Sequence, residues 1–437
     1  MRKPNCPKKQ HRPISAAHNM IEALKEWVAR KDFFMLLLVF LTVPIFAHAG
    51  GLGIAAIIGL CGLVALAGFP PRMSEIKNRF PMPVRMLLLL LVWGWISSFW
   101  SPYQSDDIMT NPVKLMLGVP VFLLCAYLIK MSASVPKKAK ILTGILCVGT
   151  LALSVSILVD QLSGYAISFA VDPLDPGQDL TARIGDMIQN IGHATSVLTL
   201  LLAPVSVLLW TRGRIGKAAS LTLVVLTLAC GFTTGQSAST LGALTALLLM
   251  GLASRRPVLA LRTGFLLAGA SILFAPLLAF LSAHLGANIK NALPFSWEER
   301  VENWSYLSQK LSQHPIVGHG FDAVRMFNDT HTIRGFEGRA LVSLHPHNAG
   351  LHIWVELGVI GAVLSCTALY FALRYLSVPN RLSKTQMVAT SGLLIAVVTM
   401  SSLSYGVWQD WWWASIIFAG AQVFFINKPK PILYQNL

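Results

Sequence analysis

The sequence predicts an all-α polytopic membrane protein of about twelve transmembrane helices, and three observations predict it. The 437 residues are 54% hydrophobic and only 12% charged, with a mean hydropathy of +0.60. Soluble globular chains carry about 25% charged residues. Apolar runs long enough to cross the hydrocarbon core of a bilayer recur along the whole chain. Finally, the polar segments between those runs alternate in charge. The net charge of +16 therefore marks membrane orientation, and no nucleic-acid partner is expected.

Residues 1–32 form a basic segment. Within it "AAHNMIEALKEWVARK" places Met20, Ile21, Leu24, Trp27 and Val28 on one helical face, suited to the cytoplasmic membrane surface. The expected spans are 33–49, 51–68, 84–100, 113–130, 141–160, 190–210, 218–233, 238–253, 263–284, 347–371, 386–404 and 411–427. "AHA" at 47–49 resembles a signal-peptidase site, but a second apolar run follows at once, so the first span is expected to be retained. "PPRMSEIKNRFPMPVR", "KMSASVPKKAK", "TRGRIGK", "SRRPVLALR", "RYLSVPNRLSK" and the tail at 428–437 are basic, and twelve spans put them all on one side. Both termini are then cytoplasmic by the positive-inside rule. "SPYQSDDIMTNP" and the long segment 161–189 are acidic and face outward. A second long outward segment, 285–346, holds "SWEERVENWSYLSQKLSQHPIVGHG", whose balanced charge predicts a folded, mostly helical cap. The chain thus divides into 1–32, a transmembrane part 33–284, the cap 285–346, a transmembrane part 347–427 and a short tail.

Candidate chemistry gathers at one helix start. "LHPHNAGLHIWVELGVIG" opens a membrane helix with two histidines flanking a proline. A helix N-terminus offers unpaired N–H groups and a positive dipole end to an anion. An imidazole there can take a proton near neutral pH, although His345 and His347 could equally cap the helix. Glu356, inside the span, is either functional or held in a buried hydrogen bond. Of the six cysteines, five lie in apolar segments and none has C-x-x-C spacing, which argues against a disulfide framework or a zinc site. His314, His319, His345, His347 and His352 have no accompanying carboxylate or cysteine at metal-ligand spacing, so no metal is expected.

"HNAGLHIWVELGVIG" reads His-Asn, nine residues, Gly358, two residues, Gly361. This resembles the His-Asn/Ser/Gln, x9, Gly-x-x-Gly pattern of the O-antigen ligases, within a superfamily that includes O-antigen polymerases and protein O-oligosaccharyltransferases. "RVENW…HPIVGHGFDAV" resembles the family's Arg-x-x-x-Trp and Pro-x-x-Gly-x-Gly segment, and "RIGDMIQNIGHATSVL" its Arg-x-x-Gly…Asn segment. One departure stands out. Where many members carry Ser-Arg in a short outward turn, "TTGQSAST" has Ala238, and Gln236 could substitute as a neutral donor.

The resemblance implies a GT-C-like architecture and an inverting glycosyltransferase of the bacterial inner membrane, with its active site on the periplasmic face. It implies an undecaprenyl-pyrophosphate-linked glycan as donor, lipid A–core as acceptor, membrane lipids as surroundings, and no metal or other cofactor. In this reading His347 is the base for the acceptor hydroxyl, and Asn348 orients it or binds sugar. Arg183, Arg300 and Arg339 are candidates for the pyrophosphate, since Arg suits phosphate oxygens. Local pairing remains an alternative: Arg300 with a neighbouring glutamate, Arg183 with Asp179 or Asp186. A polymerase acting on the same carrier and a protein O-oligosaccharyltransferase are the nearest rivals, and the short tail after the last span disfavours the second. A transporter fits less well, because charge within the spans is nearly absent.

Overall fold

The structure is a computed structural model, which describes residues 16–68, 80–105, 110–175, 177–342 and 344–426, with side chains from residue 31 onward and none at 67–68. The surface helix expected at residues 20–28 lies on a described helix, but its apolar face falls outside the described side chains. Asp106, Asp107 and the tail also lie outside them.

All twelve apolar segments are helical. Without water in the bilayer core, a spanning segment must satisfy its own backbone, and a helix does so within itself. Among the described residues nine helices are long and apolar enough to cross a membrane, or ten when Pro257–Leu273 and Ala275–Ala283 count as one bent span. The other two of the twelve expected segments, Leu52–Gly68 and Asp410–Ala421, are helical but shorter than eighteen residues. The bend, 51°, falls at Phe274, just before Pro276. A proline inside an apolar run removes a ladder bond, so the expected single span breaks there.

Leu180–Trp210 is the central helix, with 94% of its spanning window buried. It begins ten residues before the expected span at 190, so the last ten residues of segment 161–189 are the ordered lead of this helix. Ser237–Arg255 and Lys384–Leu403 pack on it and against each other, while Met82–Ser97 packs against Ala349–Leu376. The apolar core runs continuously through the bundle.

The cap is only partly helical. It holds Ala287–Ala292, Phe295–Gln313 and an antiparallel hairpin, Thr330–Ile333 with Phe336–Ala340. Arg334 and Gly335 both take positive φ at the hairpin turn, which matches the twist of the paired strands. A second small core joins cap to bundle, with Trp304, Leu307, Val324 and Phe327 packing on Leu351 and Val355.

The Ala349–Leu376 helix is broken at Gly358, whose φ is 64°. The segment 315–320 fills the break. Val359 N–H donates to the Pro315 carbonyl at 2.9 Å, and His319 and Gly320 N–H donate to the Val355 and Glu356 carbonyls at 2.9 Å each. A Cβ on Gly318 or Gly358 would collide with the backbone of the other segment. The Pro-x-x-Gly-x-Gly and Gly-x-x-Gly patterns are thus two halves of one joint.

Candidate active site

Polar residues converge at the end of the bundle that carries the cap. The Ala349–Leu376 helix is capped by Asn348, whose side-chain oxygen accepts from Leu351 N–H at 2.9 Å. Asn348 is buried, and this bond gives it a capping role. The helix starts two residues after His347, which sits in the preceding turn with φ 53°, a conformation rare for a non-glycine residue.

That turn is held from three sides. Trp304 Nε1 donates to the Pro346 carbonyl at 2.8 Å. His347 Nδ1 donates to the Ser404 carbonyl at 2.7 Å. Arg300 Nε donates to the Leu403 carbonyl at 3.0 Å, and its Nη1 to the Ser296 carbonyl at 2.6 Å. Arg300 and Trp304, four residues apart on one helix face, therefore grip the turn before one span and the end of another. Arg300 makes no ion pair with a neighbouring glutamate, and its guanidinium lies over Trp297 at 5.5 Å.

With Nδ1 committed to a carbonyl, the His347 lone pair is on Nε2, for which the described residues supply no partner. Burial, followed by the charge of Arg300, holds the His347 pKa below its ordinary value, partly opposed by the Ser404 bond. The ring is neutral at pH 7, oriented, and able to accept a proton.

The His345 ring lies 4.4 Å from that of His347 and faces a cavity of about 510 Å³. Burial, with neighbouring imidazoles, holds His345 well below the ordinary range. The cavity is also lined by Lys114, Arg183, Asp186, His193, Asp322, Arg325, His352 and Asp410. Arg183 pairs with Asp172, through both its carboxylate and its backbone carbonyl, and not with Asp179 or Asp186. The Nε of Arg183 is buried without a partner. Asp322 accepts from Asn111 at 2.7 Å and from Arg325 at 3.1 Å. Burial and the nearby Glu356 raise its pKa, with Arg325 opposing. Lys114 is exposed and has no carboxylate partner among the described residues.

Glu356 is fully buried and satisfied. It accepts from Asp322 N–H at 3.0 Å, Val324 N–H at 3.1 Å and Trp408 Nε1 at 2.5 Å. Of the two roles open for it, the structure shows the buried hydrogen bond. It ties the cap's 322–324 segment to the broken span.

Two expected residues stand apart. Arg339 is half-exposed on the hairpin and bonded to Glu299 at 2.5 Å. Gln236 packs over Gly192. Ala238, where the resemblance expects arginine, is buried beside Ser239, whose hydroxyl lies 2.8 Å from Ser196; Ser196 in turn lies 2.6 Å from Tyr405. A cation there would displace a neutral hydroxyl cluster. Sequence reasoning missed Lys114 and Asp322. Lys114 could have been noticed as a cation one residue into the expected span 113–130, but Asp322 carried no signal.

Fold and site together define a multi-pass membrane protein whose titratable residues collect at one end of an all-α bundle. Residues 222–366 match the family model described as O-antigen ligase. This segment contains His347, Asn348, Arg300, Trp304 and both halves of the glycine joint. Two curated relatives named "Putative polysaccharide ligase" match as well. That of Rickettsia felis is 30% identical over 139 residues, 31% of this chain and 33% of the relative. That of Rickettsia conorii is 28% identical over 138 residues, with the same shares. The chain thus spans about a third of the length of these relatives. No solved structure matches the chain. Over residues 222–366, then, the chain is similar to the O-antigen ligase family.

Proposed function

We propose that the protein is an O-antigen ligase, which moves a glycan from undecaprenyl pyrophosphate to lipid A–core at the periplasmic face of the bacterial inner membrane. The observation that carries the reading is the His347 ring, which is neutral, fixed through Nδ1 to the Ser404 carbonyl, and open at Nε2. An acceptor hydroxyl oxygen attacks the anomeric carbon and its proton passes to Nε2. The bond from that carbon to the pyrophosphate oxygen breaks, and the electron pair leaves with the carrier. A single displacement inverts the anomeric centre. Fixed geometry of this kind lowers the barrier by pre-paying orientation.

Arg300 supplies charge beside the leaving group, since its bonds are to neutral carbonyls and no carboxylate among the described residues forms an ion pair with it. Lys114 extends that positive surface into the cavity, where Arg183 is held by Asp172. Asn348 holds the helix end, while Gln236 and Arg339 have no part in this arrangement.

The test is reconstitution of the full chain in vesicles with lipid-linked glycan and lipid A–core. Glycosylated lipid A with release of the pyrophosphate carrier, lost in His347→Ala, is the expected result. Lengthened lipid-linked chains with unmodified lipid A would instead identify a polymerase. Full activity in the variant would remove His347 from the mechanism.

A further inference from the structure

A second cavity, of about 490 Å³, lies within the cap and is walled by the start of Phe295–Gln313 and by the hairpin. Its size falls within the range of pockets that hold small ligands, roughly 300–1,000 Å³. Glu298 and Glu302 face it, while Arg300 and Trp304 on the same helix grip the His347 turn. One helix therefore faces this cavity on one side and the His347 turn on the other.

The charges in this cavity cancel. Arg334 pairs with Glu298 at 2.6 Å and Lys290 with Glu302 at 2.9 Å. Arg334 also donates to the Leu293 carbonyl at 2.5 Å, which holds it in its positive-φ turn. A phosphate would meet two carboxylates with no free cation to offset them. A neutral polyol meets the reverse situation, because fixed carboxylate acceptors alternate with ammonium, guanidinium, amide and hydroxyl donors. Asn291, His331 and Thr332 complete the wall with groups that pair with hydroxyls. Next to this wall, the hairpin exposes 61% of Phe336, an apolar face of the kind on which a sugar ring can rest.

We propose that this cavity is a saccharide-binding subsite for uncharged sugars of a glycan whose reacting end lies at His347. It rests on the reading of the protein as a glycan ligase. Both the acceptor core and the donor glycan present this chemistry, and the experiment separates them.

Saturation-transfer NMR on the full chain in nanodiscs would use two probes: delipidated core oligosaccharide, and the glycan released from its lipid carrier by mild acid. Inorganic pyrophosphate serves as competitor. One oligosaccharide should receive saturation in wild type and in His347→Ala, and pyrophosphate should not displace it. Thr332→Trp, which fills the cavity from an exposed strand position, should weaken that signal at least tenfold, and Asn291→Ala severalfold. The same substitution should raise KM for the matching substrate with little change in kcat. Equal binding by wild type and Thr332→Trp, displacement by pyrophosphate, or no binding of either oligosaccharide would overturn the subsite. Absence of transfer by the wild-type chain, with oligosaccharide binding present, would instead overturn the ligase reading and leave the subsite standing.

Discussion

The corner around His347 and the cavity beside it are built from similar residue types but partnered in opposite ways. In the corner, Arg300, His347 and Trp304 donate to main-chain carbonyls of Leu403, Ser296, Ser404 and Pro346. In the cavity, Arg183 and Arg325 are matched to Asp172 and Asp322. A carbonyl fixes a cation without cancelling its charge, whereas a carboxylate does both. The corner can therefore offer net positive charge and a defined proton acceptor to a ligand, at the cost of burying them. The cavity offers shape, mixed polarity and, among the described residues, one cation without a carboxylate partner, Lys114.

The largest expected effect lies in the corner. Replacing His347 with alanine should lower transfer by about 10²–10⁴, the usual contribution of a positioned base. Turnover within tenfold of wild type would place the base in the cavity, where His345 is the next imidazole. A second strong effect concerns the joint beneath both regions. Gly358→Ala places a Cβ against the Ile316 carbonyl at positive φ, which should cost roughly 1–3 kcal/mol or more. A melting temperature in detergent equal to wild type would show that the joint opens without penalty.

A pair of conservative changes compares the regions directly. Arg300→Lys should lower kcat/KM about tenfold, since a single ammonium cannot reproduce a guanidinium fork. Arg183→Lys, already compensated by Asp172, should cost only a few-fold. Equal effects would erase the distinction between carbonyl-held and carboxylate-held cations. Trp304→Phe removes the bond to Pro346 while keeping the ring, and should cost about 1 kcal/mol of stability. It should lower turnover by several-fold without altering donor affinity.

The smallest effect is the pH response. Burial holds both His345 and His347 below the ordinary value of 6.5. As pH falls below that value the unfolded chain takes up protons before the folded one, so stability is flat above pH 6.5 and declines beneath it. Turnover should persist to a lower pH, falling only as His347 itself protonates. A turnover midpoint at or above 6.5, read from a pH–rate profile, would contradict a base pushed down by burial and Arg300.

Much of this molecule was legible in one dimension because the bilayer imposes a one-dimensional rule. A segment in hydrocarbon must be apolar for about 20 residues and must bond its own backbone. The family resemblance pointed to Arg300, Trp304 and His347, and helix existence follows from runs along the chain. The breaks do not. Phe274 bends one span and Gly358 interrupts another, and the second is stabilised only because a loop some 40 residues earlier in the chain supplies the missing hydrogen bonds. Likewise, nothing local shows that Asp172 rather than Asp179 or Asp186 holds Arg183, or that Arg339 turns away toward Glu299.

What the sequence alone determined is the all-α membrane class and the apolar segments that form its helices. Those properties depend on hydrophobicity and short-range periodicity. Tertiary structure alone decided which cations keep their charge, that Glu356 is a buried strut, and that the cap holds a second cavity. Each depends on contacts between residues distant in sequence, where the energy of a charge is set by the partner that folding brings to it.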